Sequence, residues 1–169
     1  ADAGKITFTP AAGYKFDTDL VLTDPIRPGY TFLGWTLTSG ETTETIASVE
    51  GKTTLTAKKY TDAITLTAQW KANEYTVTLD GVGATKPGTA SFKVTFDSPL
   101  TLEGLILPEK EGHKFLGFAT ADGVFYIDAA GKSLVSVWDI PENTTLYAKW
   151  EVLSYKVTVN ATNAEIYLN

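Results

Sequence analysis

The chain has 169 residues, no Cys, no Met and a single His, and its formal net charge is -6 at pH 7. Without cysteine the sequence excludes disulfides and thiolate metal centres, and one histidine excludes a multi-histidine metal site. An acidic chain is poorly suited to phosphate backbones, and its apolar runs are too short to cross a bilayer. We therefore predict no cofactor, no metal site, no nucleic-acid partner and no membrane insertion for these residues.

Threonine is unusually frequent, with 27 copies, and the residues that favour strands outweigh the helix formers. Apolar residues alternate with Thr or Lys along five predicted strands: Ile6/Phe8, Tyr14/Phe16, Leu66/Ala68/Trp70, Tyr75/Val77/Leu79 and Phe92/Val94/Phe96. The connection between the first two strands, at residues 10–13, is short enough for a hairpin. Composition and alternation together predict a mainly β chain.

Each half of the chain has a middle stretch that is predicted to hold a short helix, at Leu20 to Thr23 and at Leu100 to Leu107. The first stretch is followed by prolines and a turn, which lead into a strand from Tyr30 to Trp35. Gly34 lies inside that strand, and Gly117 lies inside a similar strand later in the chain. A glycine inside a strand usually marks the close approach of a ring or of another backbone.

The chain also repeats itself. The matching segments are residues 51–70 and 131–150, residues 29–35 and 112–118, and the Phe-Asp pairs at residues 16–17 and 96–97. The first pair of segments is separated by 80 positions and the second by 83, so one loop of the second copy is three residues shorter. Self-similarity at a fixed spacing predicts tandem modules.

We place a first repeat unit at residues 1–72 and a second repeat unit at residues 73–152. The tail, residues 153–169, restarts the pattern and is either the start of a third repeat or an added strand of the second unit. Units of this size bury a limited share of their surface, so large aromatic side chains are expected to anchor each core. The core candidates are Trp35, Trp70, Phe118 and Trp150.

The repeated residues resemble a known family. The order Pro-Gly-Tyr-Thr-Phe-Leu-Gly-Trp (residues 28–35), then Thr-Leu-Tyr-Ala-Lys-Trp (145–150) and Tyr-Lys-Val-Thr (155–158), is similar to the Listeria–Bacteroides repeat, also called the internalin B-repeat family. The second unit departs from the pattern with His113 in place of Tyr and Phe118 in place of Trp. Because both units match, the resemblance covers nearly the whole chain.

The resemblance implies a mainly β fold (α+β, β-grasp-like) of two tandem small repeat modules, each a short sheet with at most one short helix. It also implies a secreted or surface-anchored bacterial protein, in which such modules act as spacers or adhesive modules without catalytic residues. We therefore expect an extracellular location at the bacterial cell surface, with this chain a fragment that lacks its signal and anchor. The expected partners are neighbouring domains of the same larger protein.

Several polar residues were candidates for chemistry, but none lies in a recognisable catalytic or metal-binding pattern. His113 has Tyr30 as its counterpart, so a catalytic base would not recur and we assign it a surface position. Asp17 and Asp19 lack the glycine-turned acidic loop that calcium requires. The carboxylates of the two loops have no clear counterparts, which argues against a glycosidase pair: Glu41, Glu44 and Glu50 against Asp122 and Asp128. We predict that the chain is not an enzyme.

Aromatic residues peculiar to the second unit leave two functions open. Phe125 and Tyr126 share one loop, and Trp138 aligns with Lys58 of the first unit. If the three are exposed together, they form a surface for a host glycan or host protein, because exposed aromatic faces stack on sugar rings and anchor interfaces. If Trp138 completes a local core instead, the sequence favours a non-enzymatic stalk that projects other domains or makes weak multivalent contacts.

Overall fold

The computed structural model describes residue 13 and residues 15–159, and its regular structure consists of ten β-strands. The strands are β1 (Leu20–Thr23), β2 (Tyr30–Ser39), β3 (Thr42–Ile46), β4 (Lys52–Leu55), β5 (Ile64–Ala72), β6 (Glu74–Asp80), β7 (Ser91–Thr95), β8 (His113–Ala119), β9 (Phe125–Asp128) and β10 (Thr144–Val152). The described residues contain no helix, and hence none long and apolar enough to cross a membrane. The mainly β class predicted from the sequence is confirmed.

Two small antiparallel sheets form the described part of the first unit. β1 pairs with β4, and β2 is the central strand of a three-stranded sheet between β3 and β5. One hydrophobic cluster of this unit consists of the buried residues Leu37, Leu55 and Tyr60, with partly buried aliphatic side chains around them. The strand predicted at Ile6/Phe8, the connection before Gly13 and Tyr14 lie outside the described residues.

One five-stranded sheet, in the order β7-β6-β10-β8-β9, forms the second unit. β6 and β10, its first and last strands, are parallel neighbours at the centre, and the other pairs are antiparallel. Parallel strands cannot be joined by a hairpin, and here β7, β8 and β9 lie between the two in the chain. One hydrophobic core contains the buried residues Val77, Leu79, Val94, Phe96, Leu100, Phe118, Tyr126, Ile127, Trp138, Leu146 and Ala148.

The predicted short helices are absent from both units. Leu20 to Thr23 is strand β1, in which Leu22 is buried and Val21 is exposed, the period-two pattern of a strand. Residues 100–107 contain turns and irregular chain. Gly104 has a positive φ of 74°, outside the helical range, so no continuous helix runs through this stretch. The prediction of a short helix is therefore wrong in both places.

An aromatic trio recurs with nearly the same geometry in both units. The trios are Phe32, Trp35 and Trp70 in the first unit and Phe115, Phe118 and Trp150 in the second. The phenylalanine in the middle lies edge-on against the other two rings, with centroid distances of 5.2 and 5.2 Å in the first unit and 5.1 and 5.3 Å in the second. The predicted core residues Trp35 and Phe118 are buried, whereas Trp70 and Trp150 are half-buried.

The two strand glycines lie where a second backbone approaches closely. Gly34 and Gly117 have positive φ angles of 120° and 134° and follow a β-bulge at which the preceding leucine is skipped in the register. A Cβ atom at Gly34 would lie 2.5 Å from the Ile46 carbonyl oxygen, and one at Gly117 would lie 2.3 Å from that of Ile127. The close approach predicted from the sequence is confirmed at both positions.

The described part of the tail, residues 153–159, contains no strand and is exposed, and residues 160–169 lie outside the described residues. Its backbone is nevertheless held at the start, because the Leu153 N–H donates to the Gly112 carbonyl oxygen at 2.9 Å. Both interpretations of the tail, a third repeat or an added strand, stay predictions.

Candidate functional site

Trp138 lies inside the core of the second unit. Its side chain is 0% exposed, its indole N–H donates to the Ile140 carbonyl oxygen at 2.8 Å, and its ring centroid is 5.2 Å from that of Tyr126. A buried indole whose single donor is satisfied offers nothing to a ligand. The hypothesis of an exposed binding surface that includes Trp138 is therefore not supported, because this side chain fills the core instead.

Tyr126 is buried as well, and its hydroxyl has a partner. The hydroxyl donates to Asp139 Oδ1 at 2.6 Å and so fastens β9 to the loop that carries Trp138. Burial, followed by this hydrogen bond to a carboxylate, raises the pKa of Tyr126 well above its ordinary value. The arrangement stabilises the neutral phenol as a donor, which is a structural role.

Phe125 is the one member of the proposed surface that reaches solvent, at 38% exposure. It lies on the other side of β9 from Tyr126, since successive strand residues point to opposite faces. A Cβ atom at Gly117 would lie 3.1 Å from the Phe125 ring, so this aromatic side chain covers the bulge of β8. The structure thus does not bring Phe125, Tyr126 and Trp138 together on one exposed surface.

An open depression of about 490 Å³ lies along β10. Its lining residues are Val82, Ala121, Tyr147, Ala148, Lys149 and Trp150. The lining contains one charged group and none of the three residues proposed from the sequence. It offers no set of converging polar groups of the kind that fixes a small ligand.

The polar residues considered for chemistry have structural partners. His113 begins β8, and its Nδ1 lies 2.8 Å from the Glu111 carbonyl oxygen. Glu44 accepts hydrogen bonds from Lys59, at 2.7 Å, and from the Tyr60 hydroxyl. These two bonds, that of Lys59 first, lower the pKa of Glu44. Glu44, Lys59 and Tyr60 therefore bond to one another within the first unit. Their hydrogen bonds join β3 to the loop before β5.

Two other carboxylates accept backbone hydrogen bonds, Asp128 within a turn and Asp19 from a distant segment. Asp128 Oδ1 accepts the backbone N–H groups of Ala130 and Lys132, both at 2.8 Å, and Asp19 Oδ1 accepts that of Ala57 at 2.6 Å. Local hydrogen bonds from the backbone to a side chain, such as those to Asp128, compete with the hydrogen bonds of regular secondary structure and so favour turns. Across residues 15–159 the structure brings together no group of three or more His, Cys, Asp or Glu side chains of the kind that holds a metal ion.

A cluster of hydrogen-bonded residues lies where the two units meet. We call it the interunit joint, and it consists of Gly29, Tyr30, Asn73, Phe96 and Asp97. The Asn73 N–H donates to the Gly29 carbonyl oxygen, and the Phe96 N–H donates to the Asn73 carbonyl oxygen, both at 2.9 Å. The Tyr30 hydroxyl donates to Asp97 Oδ2 at 2.6 Å. Backbone and side chains together therefore connect the first unit to the second.

The centre of the interunit joint is apolar and depends on glycine. Phe96 is 3% exposed, and its ring lies edge-on 5.5 Å from that of Tyr30. Gly29 has a positive φ of 79°, and a Cβ atom there would lie 2.4 Å from the Phe96 ring. Only glycine therefore accommodates both the turn and the ring that covers it.

Polar contacts surround this apolar centre. The Arg27 guanidinium lies 3.7 Å from the centroid of the Tyr30 ring, a cation–π contact. Thr31 Oγ1 donates to Asn73 Oδ1 at 2.6 Å, which orients the linker side chain. The hydrogen bond from Tyr30 to Asp97 raises the pKa of the tyrosine, so the neutral donor persists. The two hydrogen bonds join the first unit to the linker and to the second unit, whereas the cation–π contact lies within the first unit.

Sequence reasoning missed the interunit joint, although its parts were visible. The Phe-Asp pair and the glycine-aromatic pair both recur between the units, which marked them as elements of the repeat. Nothing in the pattern said that a Phe-Asp pair of one unit touches a glycine-aromatic pair of the unit before it. Tyr30 and Asp97 are 67 residues apart, and such contacts follow from tertiary structure alone.

Comparison with known proteins identifies the repeat. The model of the Listeria–Bacteroides repeat domain family matches residues 3–69, so that part of the chain belongs to this family. The resemblance read from the sequence motifs is thereby confirmed. No solved structure matches the chain.

Three curated relatives resemble the chain over most of its length. Two are proteins of Evansella cellulosilytica, one named as a Gly-rich membrane protein (31% identical over 79% of this chain) and one as a membrane protein (32% over 80%). The third is Internalin H of Listeria monocytogenes, which is 34% identical over 76% of this chain. The aligned part spans 14%, 18% and 20% of the length of these relatives, in the same order.

Proposed function

We propose that the chain is a non-enzymatic spacer of a bacterial cell-surface protein, in which tandem repeats hold other domains at a fixed distance. The observation that carries this proposal is the interunit joint. A spacer must resist bending where its modules meet, and a flexible linker alone would leave neighbouring units free to tumble. The names of the relatives, which include membrane proteins and an internalin, support a surface location for the parent protein.

Stiffness is expected because the linker itself is part of the contact. Asn73 is the single residue between β5 and β6, and its backbone bonds to both units. Rotation about this linker would break two backbone hydrogen bonds and expose the Phe96 ring. Each bond contributes about 0.5–1.5 kcal/mol net, and burial of the ring adds to them.

We further propose that each unit is a β-grasp-like module without a helix. The second unit supports this proposal, since its first and last strands are parallel neighbours and its strand order is second, first, fifth, third, fourth. In the first unit the opening strand is predicted from the sequence at residues that the structure does not describe. Two such modules in tandem would repeat one architecture along the spacer.

Binding to a host glycan or host protein is the second candidate function. The observation that favours it is the exposed pair Val124 and Phe125, at 53% and 38% exposure, beside the bulge of β8. A screen of glycans and host proteins against the full chain tests it, with Phe125→Ala as the informative variant and Trp138 left intact. Reproducible binding that this substitution abolishes would favour the binding function.

The spacer proposal is tested by the relative orientation of the two units in solution. Residual dipolar couplings of the full chain are expected to fit one alignment tensor for β2–β5 and β6–β10 together. The double variant Tyr30→Phe/Phe96→Ala removes the hydroxyl and the covering ring, and it should require two separate tensors.

The matched control is Tyr147→Phe, which removes a hydroxyl from the sheet of the second unit without touching the interunit joint. It should leave the single tensor unchanged. A wild-type chain that already needs two independent tensors would show that the units move freely, and the spacer proposal would then fail.

A further inference from the structure

The turn at Phe96 and Asp97, which the second unit contributes to the interunit joint, has a counterpart at the start of the first unit. In the second unit, the Ser98 N–H donates to the Thr95 carbonyl oxygen at 3.3 Å, with Phe96 and Asp97 at the tip of the turn. In the first unit, the Thr18 N–H donates to the Lys15 carbonyl oxygen at 3.1 Å, and the tip residues are again Phe and Asp. The same turn therefore occurs twice, 80 residues apart.

The two turns differ in what covers them. Phe96 is 3% exposed because it rests on Gly29, whereas Phe16 is 51% exposed. An exposed phenylalanine at the tip of a turn leaves a large apolar ring in water, which is unfavourable. In the described chain, Phe16 has the position of Phe96 without the surface that Phe96 covers.

The opposite half of the interunit joint has a twin as well, at the end of the second unit. The Tyr30 N–H donates to the Arg27 carbonyl oxygen, and the His113 N–H donates to that of Lys110, both at 3.1 Å. The linker bond recurs too, since the Leu153 N–H donates to Gly112 as Asn73 does to Gly29, both at 2.9 Å. The glycine turn and its linker bond are thus formed twice.

The two glycine turns differ in the space above the glycine. A Cβ atom at Gly29 would meet the Phe96 ring at 2.4 Å, whereas one at Gly112 would have nothing within 4 Å among the described residues. Both glycines have similar positive φ angles, 79° and 69°, so they present their bare Cα atoms in the same conformation. Gly112 is therefore an uncovered surface with the backbone conformation of Gly29, on which the Phe96 ring rests. We call this uncovered surface the Gly112 seat.

We propose that the two ends of the described chain are complementary halves of the interunit joint and that each binds a repeat unit of this same kind. The Gly112–His113 turn, with Leu153, seats the Phe-Asp turn of a following unit, and the Phe16–Asp17 turn rests on the glycine-aromatic turn of a preceding unit. The argument is continuity with the interface already formed between the two units. The inference rests on the proposed spacer function and extends it into an array with one joint geometry throughout.

A second copy of the full chain is the probe, because it carries both halves. The chain has no cysteine, so Glu151→Cys, on exposed chain next to the Gly112 seat, creates a single site for a nitroxide spin label. The labelled chain is mixed with an isotope-labelled wild-type chain at about 1 mM each, a concentration that populates weak contacts. Paramagnetic broadening then reports which residues of the second copy approach the seat.

Head-to-tail docking predicts that the amide signals of residues 16–18 lose more intensity than any others in the spectrum. The loss should disappear when the isotope-labelled chain carries Phe16→Ala and persist with Ile26→Ala, a matched truncation of another exposed apolar residue. A label at Asp122→Cys, at the far end of β8, should not broaden residues 16–18 selectively.

Absence of selective broadening at residues 16–18, or broadening centred on another surface, would overturn the inference. Failure here is distinguishable from failure of the spacer proposal. One alignment tensor within a single molecule, combined with no contact between copies, would contradict this inference alone. Two independent tensors would contradict the spacer proposal itself.

Discussion

The two repeat units share several backbone and aromatic features, but their hydrophobic cores differ. Both have the same aromatic trio and the same bulge glycine under a neighbouring carbonyl. Among the described residues, however, the hydrophobic cluster of the first unit contains three buried residues, whereas that of the second unit contains eleven, including Trp138. The position of Trp138 is Lys58 in the first unit, with a positive φ of 61°. The repeat therefore preserves backbone geometry at a few points and leaves the core free to vary.

A tyrosine-carboxylate bond closes each unit, with the two partners exchanged. In the first unit Tyr60 lies on the loop and donates to Glu44 on β3, whereas in the second unit Tyr126 lies on β9 and donates to Asp139 on the loop. The same connection between hairpin strand and loop is thus made from opposite sides.

The largest expected effect on stability tests the difference between the two cores. Trp138→Ala should destabilise the chain by about 3–5 kcal/mol, because it leaves a cavity in place of a fully buried indole. Lys58→Ala, at the matching position of the first unit, should change stability by less than about 0.5 kcal/mol. Urea denaturation followed by tryptophan fluorescence measures both. Equal losses for the two variants would mean that the cores are less different than the burial indicates.

The next prediction tests what the units share. Gly34→Ala and Gly117→Ala should each cost more than about 2 kcal/mol, because strain at positive φ adds to a clash with a backbone oxygen. Gly123→Ala is the control, since its φ of 92° is also positive but nothing lies within 4 Å of the added Cβ. Thermal unfolding compares the three. A control as destabilised as the two strand variants would show that the approach of the carbonyl is unimportant.

The smallest expected effect on stability concerns Tyr126, the tyrosine that bonds to Asp139 in the second unit. The pKa of Tyr126 is raised in the folded chain above the ordinary value of 10.0, so the folded state retains its proton where the unfolded state loses it. The resulting stabilisation is complete below pH 10.0 and declines as pH rises further toward the folded pKa. Tyr126→Phe should cost about 1 kcal/mol at neutral pH and make stability less sensitive to alkali.

Unfolding free energies at neutral and alkaline pH, for wild type and Tyr126→Phe, measure this difference. Tyr60→Phe provides the comparison in the first unit, where burial also raises the tyrosine pKa. If wild type and Tyr126→Phe lost stability equally in alkali, Tyr126 would not be the group responsible.

Much of the fold could be predicted because local patterns determine it. Alternation located β5, β6 and β7, and the recurring closing motif located β10, since one face of each strand packs against a core. β3 and β9 were missed as hairpin partners, because their short polar or mixed segments show no clear period. β1 was mistaken for a helix because four residues are too few to separate the two periods.

The candidate site was less predictable than the fold. Whether Trp138 is buried depends on β9 and on residues that reach it from distant parts of the chain, so a lone tryptophan opposite a lysine could not decide between core and surface. The interunit joint combines residues from three segments, and no local pattern states which turns meet. Its recurring parts were visible, and only their pairing required the structure.

The parallel contact between β6 and β10 has a mechanical consequence. The chain enters the second unit at the start of β6 and leaves it at the end of β10, and the two strands run side by side in the same direction over four register pairs. A force applied through the neighbouring domains would pull these strands past each other along their length. The hydrogen bonds between them would then be loaded together in shear, instead of being opened one at a time as in a hairpin pulled from its ends.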